Sequence, residues 1–277
     1  MTSIACRRLA PSLGAVIDGV DLSAHSPSAF IRAIQEALDE HLVLFFGNQK
    51  LTPQQQRDLA AAFGPLYLHP FYPGMPDAIE VMVLENDAKR PPSADRWHND
   101  VTFLERPPKM ALLYSEVIPE LGGDTLWANM YQAFNDLSAP MQTLLKSLHA
   151  EHSFAQNFTA ERFTRMGMQD RMADLYAKHP PVSHPAARMN KVTGQYALYV
   201  NQDFTTRILE IPRRESDALL KFLFEHMEQP QYQVRWRWEP NTLVIWDNRW
   251  TQHCALGDYY PNHRRMRRVT VLDEEPV

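Results

Sequence analysis

A succession of short runs rich in β-branched and aromatic residues does most to limit the folds open to this chain. AIEVMVLE (78–85), KMALLYSEVI (109–118), TLWAN (125–129), GQYALYV (194–200) and RVTVL (268–272) each read as strands. VRWRWEPNTLVIW (234–246) reads as two strands joined by a turn at Pro240-Asn241, and LVLFF (42–46) as one buried strand. Helical spacing appears between them without strict alternation. Ser26 to Glu40 carries Phe30, Ile31, Ile34, Ala37 and Leu38 on one face. Thr52-Pro53-Gln54-Gln55 has a capping residue, a proline at the first helical position and a glutamine placed to reach back, opening a helix to about Phe63. Ser138 to Leu148 and RRESDALLKFLFEHM (213–227) complete the set. Many strands with a few non-alternating helices predict a mainly β fold, a barrel or jelly roll packed by helices, rather than a parallel α/β sheet.

With 277 residues and no low-complexity linker or internal repeat, the expectation is a single domain over 1–277. The net charge of −5 gives no global attraction to nucleic acid or anionic membrane, so neither is expected as a partner. No segment reaches the roughly 18 apolar residues of a membrane span, and the first twenty residues lack a signal-like apolar run. The two cysteines, Cys6 and Cys254, are too few for a disulfide scaffold or thiolate cluster, and a cytoplasmic protein is expected. No GxGxxG or GxxxxGK[ST] pattern supports a phosphate-cradling loop.

The chemistry-bearing residues are dispersed. In WHNDVTF (97–103), a strand would point His98 and Asp100 to one side, about 7 Å apart. Such a pair can begin a metal site or simply meet water. His253 follows the apolar run that ends at Asp247-Asn248, and with the other two it would form a face of two imidazoles and one carboxylate with coordination positions left open. The same face also suits a hydrolytic zinc. The remaining histidines have plainer readings: His149 and His152 as a helix-compatible pair, His179 and His184 as loop residues, and His25, His41 and His226 as surface or helix-end residues. In RRMRRVTV, Arg264 and Arg268 share a strand face while Arg265 and Arg267 take the other. Either this is a charged, solvated edge, or two inward guanidiniums await two anions, since burial without an anion is costly.

The ordered series GAVIDGVDLS, LTPQQQRDLAAAFG, LHPFYP, WHNDVTF, GGDTLWANM, VNQDFTTRI, VRWRWEPNTLVIWDNRWTQH and RRMRRVTV resembles the TauD/TfdA family of Fe(II)/2-oxoglutarate dioxygenases over nearly the whole chain. The resemblance implies a double-stranded β-helix, or jelly roll, with Fe(II), 2-oxoglutarate and O2. It implies His98, Asp100 and His253 as iron ligands, Arg264 and Thr125 as the grip on 2-oxoglutarate, and Arg268 with His69 on the substrate's anionic group. Tyr72, Val101, Phe103, Phe158 and Phe204 fall where the family lines its substrate pocket. The implied reaction is hydroxylation of the carbon beside sulfur in a small alkyl sulfonate, taurine foremost, releasing sulfite and an aldehyde with succinate and CO2. An alkyl sulfate ester dioxygenase is the alternative, followed by a zinc hydrolase on the same three ligands. Ala94 stands where the family carries a pocket asparagine, which weakens taurine more than the wider class. The resemblance also makes a homodimer or homotetramer the expected assembly. Residues 157–175 read equally as a lid or as an ordinary surface helix with its loop.

Overall fold

A computed structural model describes residues 4–23, 30–70, 72, 74–92 and 95–273. Its internal contacts fall into two compact units. The first comprises Met1–Asp95, Pro108–Asn129 and Gln233–Glu274, and the second Arg96–Pro107, Met130–Tyr232 and Glu275–Val277.

The first unit carries an eight-stranded sheet in the spatial order Ala5–Arg8, Ala15–Asp18, Val43–Phe46, Leu243–Asp247, Pro108–Val117, Arg264–Leu272, Ala78–Asn86, Gly74–Met75. A three-stranded sheet, Gln233–Trp236, Thr125–Asn129, Thr251–Ala255, packs against one of its faces. The contact is aromatic. Phe45 lies 5.5 Å from Trp127 and stacks on Trp236 at 4.3 Å, and Trp127 meets Trp246 at 5.8 Å. This two-sheet, mostly antiparallel arrangement is the cupin-like jelly roll expected. Helices Ile31–His41 and Pro53–Ala61 contact strands of the large sheet, and their apolar residues share one core with that sheet. Strand alternation explains how one sheet serves two layers. Leu44, Phe46, Leu243 and Ile245 join the core with the helices, whereas Phe45 and Trp246 face the aromatic layer.

Thr52 caps Pro53–Ala61 as its sequence requires: its hydroxyl accepts from Gln55 N–H while the Gln55 amide oxygen accepts from Thr52 N–H. The 234–246 run differs from a simple hairpin. Gln233–Trp236 pairs with Thr125–Asn129, but Leu243–Asp247 pairs with Val43–Phe46 and Pro108–Val117, so the Pro240-Asn241 turn passes the chain from one sheet to the other. Helix Ile31–His41 begins later than its periodicity suggested, residues 24–29 lying outside those described.

The second unit is built from helices and short strands. His149–His152 pairs with Val182–Pro185 and Thr205–Ile208, while Ala187–Met189 pairs with Tyr196–Leu198. Helix Arg213–Met227 packs on Thr205–Ile208, burying Leu220 and Leu223. Segment 157–175 contains helix Ala160–Arg165 and a 3-10 turn Gln169–Arg171, anchored by the buried Phe163 and Leu175.

Because Phe45 is fully buried between the two sheets, Phe45→Ala should destabilise the protein by about 3–5 kcal/mol. Thr52→Ala, which removes one exposed cap, should cost about 1 kcal/mol. Urea unfolding midpoints of the two variants check the ranking.

Candidate metal centre

The HxD motif is not a strand. Residues 100–103 form a turn, with Val101 at φ 58°, a left-handed conformation uncommon for a β-branched residue. The turn brings His98 Nε2 to 3.9 Å from Asp100 Oδ1. His98 Nδ1 lies 2.8 Å from Arg96 O, a carbonyl that can only accept, so Nδ1 is the donor and Nε2 is the nitrogen turned toward Asp100. His253 sits in mid-strand on Thr251–Ala255, opposite Trp127, its ring against Trp246 at 4.9 Å. Among the described residues, His98, Asp100 and His253 form a buried group whose ligand atoms all lie within 4.8 Å of one another. Two imidazole nitrogens and one carboxylate oxygen fit an Fe(II) face with open positions.

Thr125 and Arg264 both lie against the Trp238 indole. Trp238 Nε1–H donates to Thr125 Oγ1 at 2.9 Å, and the Arg264 guanidinium lies 6.0 Å from the Trp238 ring and 5.6 Å from that of Tyr259. Arg264 is only 6% exposed, yet its Nε and Nη2 have no hydrogen-bond partner among the described residues. Burial lowers its pKa from the ordinary value, partly offset by Tyr259 and Asp124. Gly123, at φ +76°, makes room for it: a Cβ there would press within 3.3 Å of Arg264 Cδ and Nε. Unmet donors on a buried guanidinium fit a carboxylate ligand.

Arg264–Leu272 is not the solvated edge that its charges allowed: it lies between two strands of the large sheet, and Arg267, on the face opposite Arg264 and Arg268, is 2% exposed. It donates from Nη2 to Leu51 O at 2.6 Å, pairs with Glu116 at 3.2 Å and stacks on Tyr114 at 4.3 Å. Arg268 is half-buried on the same strand. The bridge Leu66↔Val271 and the bond from Tyr67 N–H to Thr270 O run a loop antiparallel along this strand toward Arg268, and His69 follows two residues later. Its ring meets Tyr72 at 4.7 Å. In the second unit Phe103 packs on Phe204 at 5.2 Å and on Phe158 at 6.4 Å, with Phe154 among them, and Val101 is buried. Ala94 lies outside the described residues.

Several histidine readings change. His149–His152 is a strand: His149 bonds Glu210 outside, while His152 is wholly buried. His184 lies on a strand, its Nε2–H shared between Thr102 O (2.8 Å) and Leu104 O (3.0 Å). His41 and His226 are helix-end residues but buried, and His25 falls outside the described residues. The sequence reading gave no role to the polar residues beneath the HxD turn. Thr102 Oγ1 accepts from Asn201 Nδ2 at 3.0 Å and lies 2.9 Å from His152 Nδ1, and Asp203 pairs with Arg96 at 2.9 Å. An asparagine opening the turn NQDFT was the available signal, because its side chain caps the backbone two and three residues on.

The model of the taurine catabolism dioxygenase TauD, TfdA family matches residues 5–270. An alkylsulfatase of Acinetobacter baylyi is 35% identical over 97% of this chain and 84% of its own. An alpha-ketoglutarate-dependent sulfate ester dioxygenase of Pseudomonas putida is 36% identical over 97% and 89%. The crystal structure of a putative alpha-ketoglutarate-dependent taurine dioxygenase from Burkholderia xenovorans superposes with a TM-score of 0.85 at 32% identity, covering 99% of this chain and 94% of that one.

Burial drives the His184 pKa down to about 4 and lowers that of His152 well below the ordinary 6.5. Both stay neutral when folded and take up protons on unfolding. Stability is therefore full above about pH 6.5 and falls as pH drops toward 4, His184 alone accounting for about 3 kcal/mol. His184→Gln should flatten that acid limb, measured as urea unfolding free energy between pH 7 and 4.

Proposed function

The chain belongs to the TauD/TfdA family of alpha-ketoglutarate-dependent dioxygenases, and from this we propose that it oxidises the carbon bearing a sulfur oxyanion group, with alkyl sulfate esters as the leading substrates. The observation that carries the reading is the buried His98, Asp100, His253 group. Two relatives at 35% and 36% identity, an alkylsulfatase and a sulfate ester dioxygenase, support the ester class. The family description and the Burkholderia structure favour a second reading, an alkyl sulfonate such as taurine.

In this reading His98 and His253 would each present an imidazole nitrogen to Fe(II), and Asp100 its carboxylate. Iron with 2-oxoglutarate and O2 supplies the oxidising equivalent that replaces a C–H hydrogen by hydroxyl, leaving succinate and CO2. Arg264 offers Nε and Nη2 as a two-pronged donor to the distal carboxylate of 2-oxoglutarate. Thr125 already accepts from Trp238, which leaves its own hydroxyl hydrogen for the same carboxylate. Arg268 and His69 hold the sulfur oxyanion and set which carbon is presented. A hydroxylated ester carbon is a hemiacetal derivative: its hydroxyl loses a proton, its C–O bond to sulfate breaks, and aldehyde and sulfate leave. In a sulfonate the C–S bond breaks instead and sulfite leaves.

The test is Fe(II)-dependent succinate release with a medium-chain alkyl sulfate, the matching alkyl sulfonate and taurine. The ester should give succinate, aldehyde and sulfate in equal amounts. Turnover of the sulfonates alone moves the assignment to the second reading, and no stimulation by any of them rejects both. Losing a charge-assisted hydrogen bond is worth about 1.5–3 kcal/mol. Arg268→Ala should therefore raise the substrate KM by about 10–100-fold and spare that for 2-oxoglutarate. Arg264→Ala should show the reverse, and an exchanged pattern would exchange the two roles.

A further inference from the structure

The turn Asn201–Thr205 touches both ligand-bearing positions of the second unit. From one side, Trp97 N–H donates to Gln202 Oε1 at 3.3 Å and Gln202 N–H to Trp97 O at 3.2 Å, clamping the residue before His98. From the other, Asn201 Nδ2 donates to Thr102 Oγ1, two residues past Asp100. Asn201 in turn is fixed at its own backbone, its N–H donating to Thr205 Oγ1 at 2.9 Å and its Oδ1 accepting from Asp203 and Phe204 N–H.

Asp203 stands apart within this turn. Its carboxylate is buried at 4% exposure, and Oδ1 pairs with Arg96 Nε at 2.9 Å. Oδ2 lies 3.8 Å from His98 Nδ1, the nitrogen that donates to Arg96 O. The Arg96 side chain is about half exposed, so solvent weakens its compensation of the buried charge. A negative charge beside the Nδ1 edge of the ring favours the orientation in which Nδ1–H points to Arg96 O and Nε2 is turned toward Asp100.

We propose that Asp203 is a positioning residue for the metal centre, acting through His98 by its charge, with the Asn201–Thr205 turn as the frame that carries it. The inference rests on the ligand reading above. It goes further in naming a residue that neither binds the metal nor meets the substrate.

Anaerobic calorimetric titration of Fe(II) into the metal-free protein tests it, with thermal unfolding of each metal-free variant alongside. Asp203→Asn keeps the size and removes the charge; it should weaken Fe(II) binding by about 10–100-fold and leave the metal-free Tm within a few degrees of wild type. Arg96→Gln changes a half-exposed side chain and leaves the carboxylate in place; it should bind Fe(II) at least as tightly as wild type. Two outcomes overturn the proposal: unchanged affinity in Asp203→Asn, or a loss in Arg96→Gln equal to that in Asp203→Asn, which would make the ion pair a packing feature. If Asp203→Asn does not fold, any loss of Fe(II) affinity in Arg96→Gln overturns the proposal, and wild-type or tighter binding retains it. Asp100→Ala separates the two levels. Lost binding there with unchanged binding in Asp203→Asn retains the ligands and rejects the positioning role, whereas wild-type affinity in Asp100→Ala rejects both.

Discussion

A guanidinium removed from water must find an anion, carbonyls or a ring face, or its burial costs more than the fold can recover. Strand Arg264–Leu272 meets this demand twice with opposite outcomes. Arg267 is satisfied from within by Glu116, Leu51 O and Tyr114. Arg264, three residues earlier, is framed by Trp238 and Tyr259 and retains two donor nitrogens that no described residue meets with a hydrogen bond. The same residue type on one strand thus acts as structure in one place and as a receptor in the other. Both are flanked by aromatic rings; the difference is that a carboxylate, Glu116, stands 3.2 Å from Arg267, while no described carboxylate is within ion-pair distance of Arg264.

Strands Val43–Phe46 and Leu243–Asp247 were legible because both of their faces are buried, so their apolar runs stand out. The Thr52 cap was legible because its partners are local. Where the reading failed, the cause was non-local. Residues 234–246 look like a hairpin, but which strand each half joins depends on residues far away, Thr125–Asn129 for one and Val43–Phe46 for the other. Arg267 could not be told from Arg265 by alternation, because both reach Glu116 and the partners that set Arg267 apart, Leu51 O and the Tyr114 ring, are distant in sequence. The HxD spacing suggested a strand, yet the grouping arises in a turn held by Asn201 and Gln202, about a hundred residues onward. His98, Asp100 and His253 were candidates from residue type and spacing, and the resemblance named them as iron ligands, since no local pattern contains their proximity.

Irregular backbone around the centre is held by short polar side chains instead of a ladder. Asn201 accepts two successive N–H groups, and His184 bridges two carbonyls of the 102–104 segment. Gln49 does similar service elsewhere, accepting from Leu22 N–H and donating to Val20 O and Gly47 O. Each meets backbone groups that burial would otherwise leave without partners. The buried histidines His152 and His184 belong to this class: they are neutral struts beneath the turn, and their cost appears only when acid unfolds the chain and they take up protons.

The large sheet ends in strands that make poor templates. Ala5–Arg8 is four exposed residues with a guanidinium at Arg7 and Arg8, and Gly74–Met75 is two residues long. A foreign strand arriving at either margin finds few main-chain groups to pair with, and at the first it also meets positive charge. Fibril-like growth by sheet extension is disfavoured at both margins.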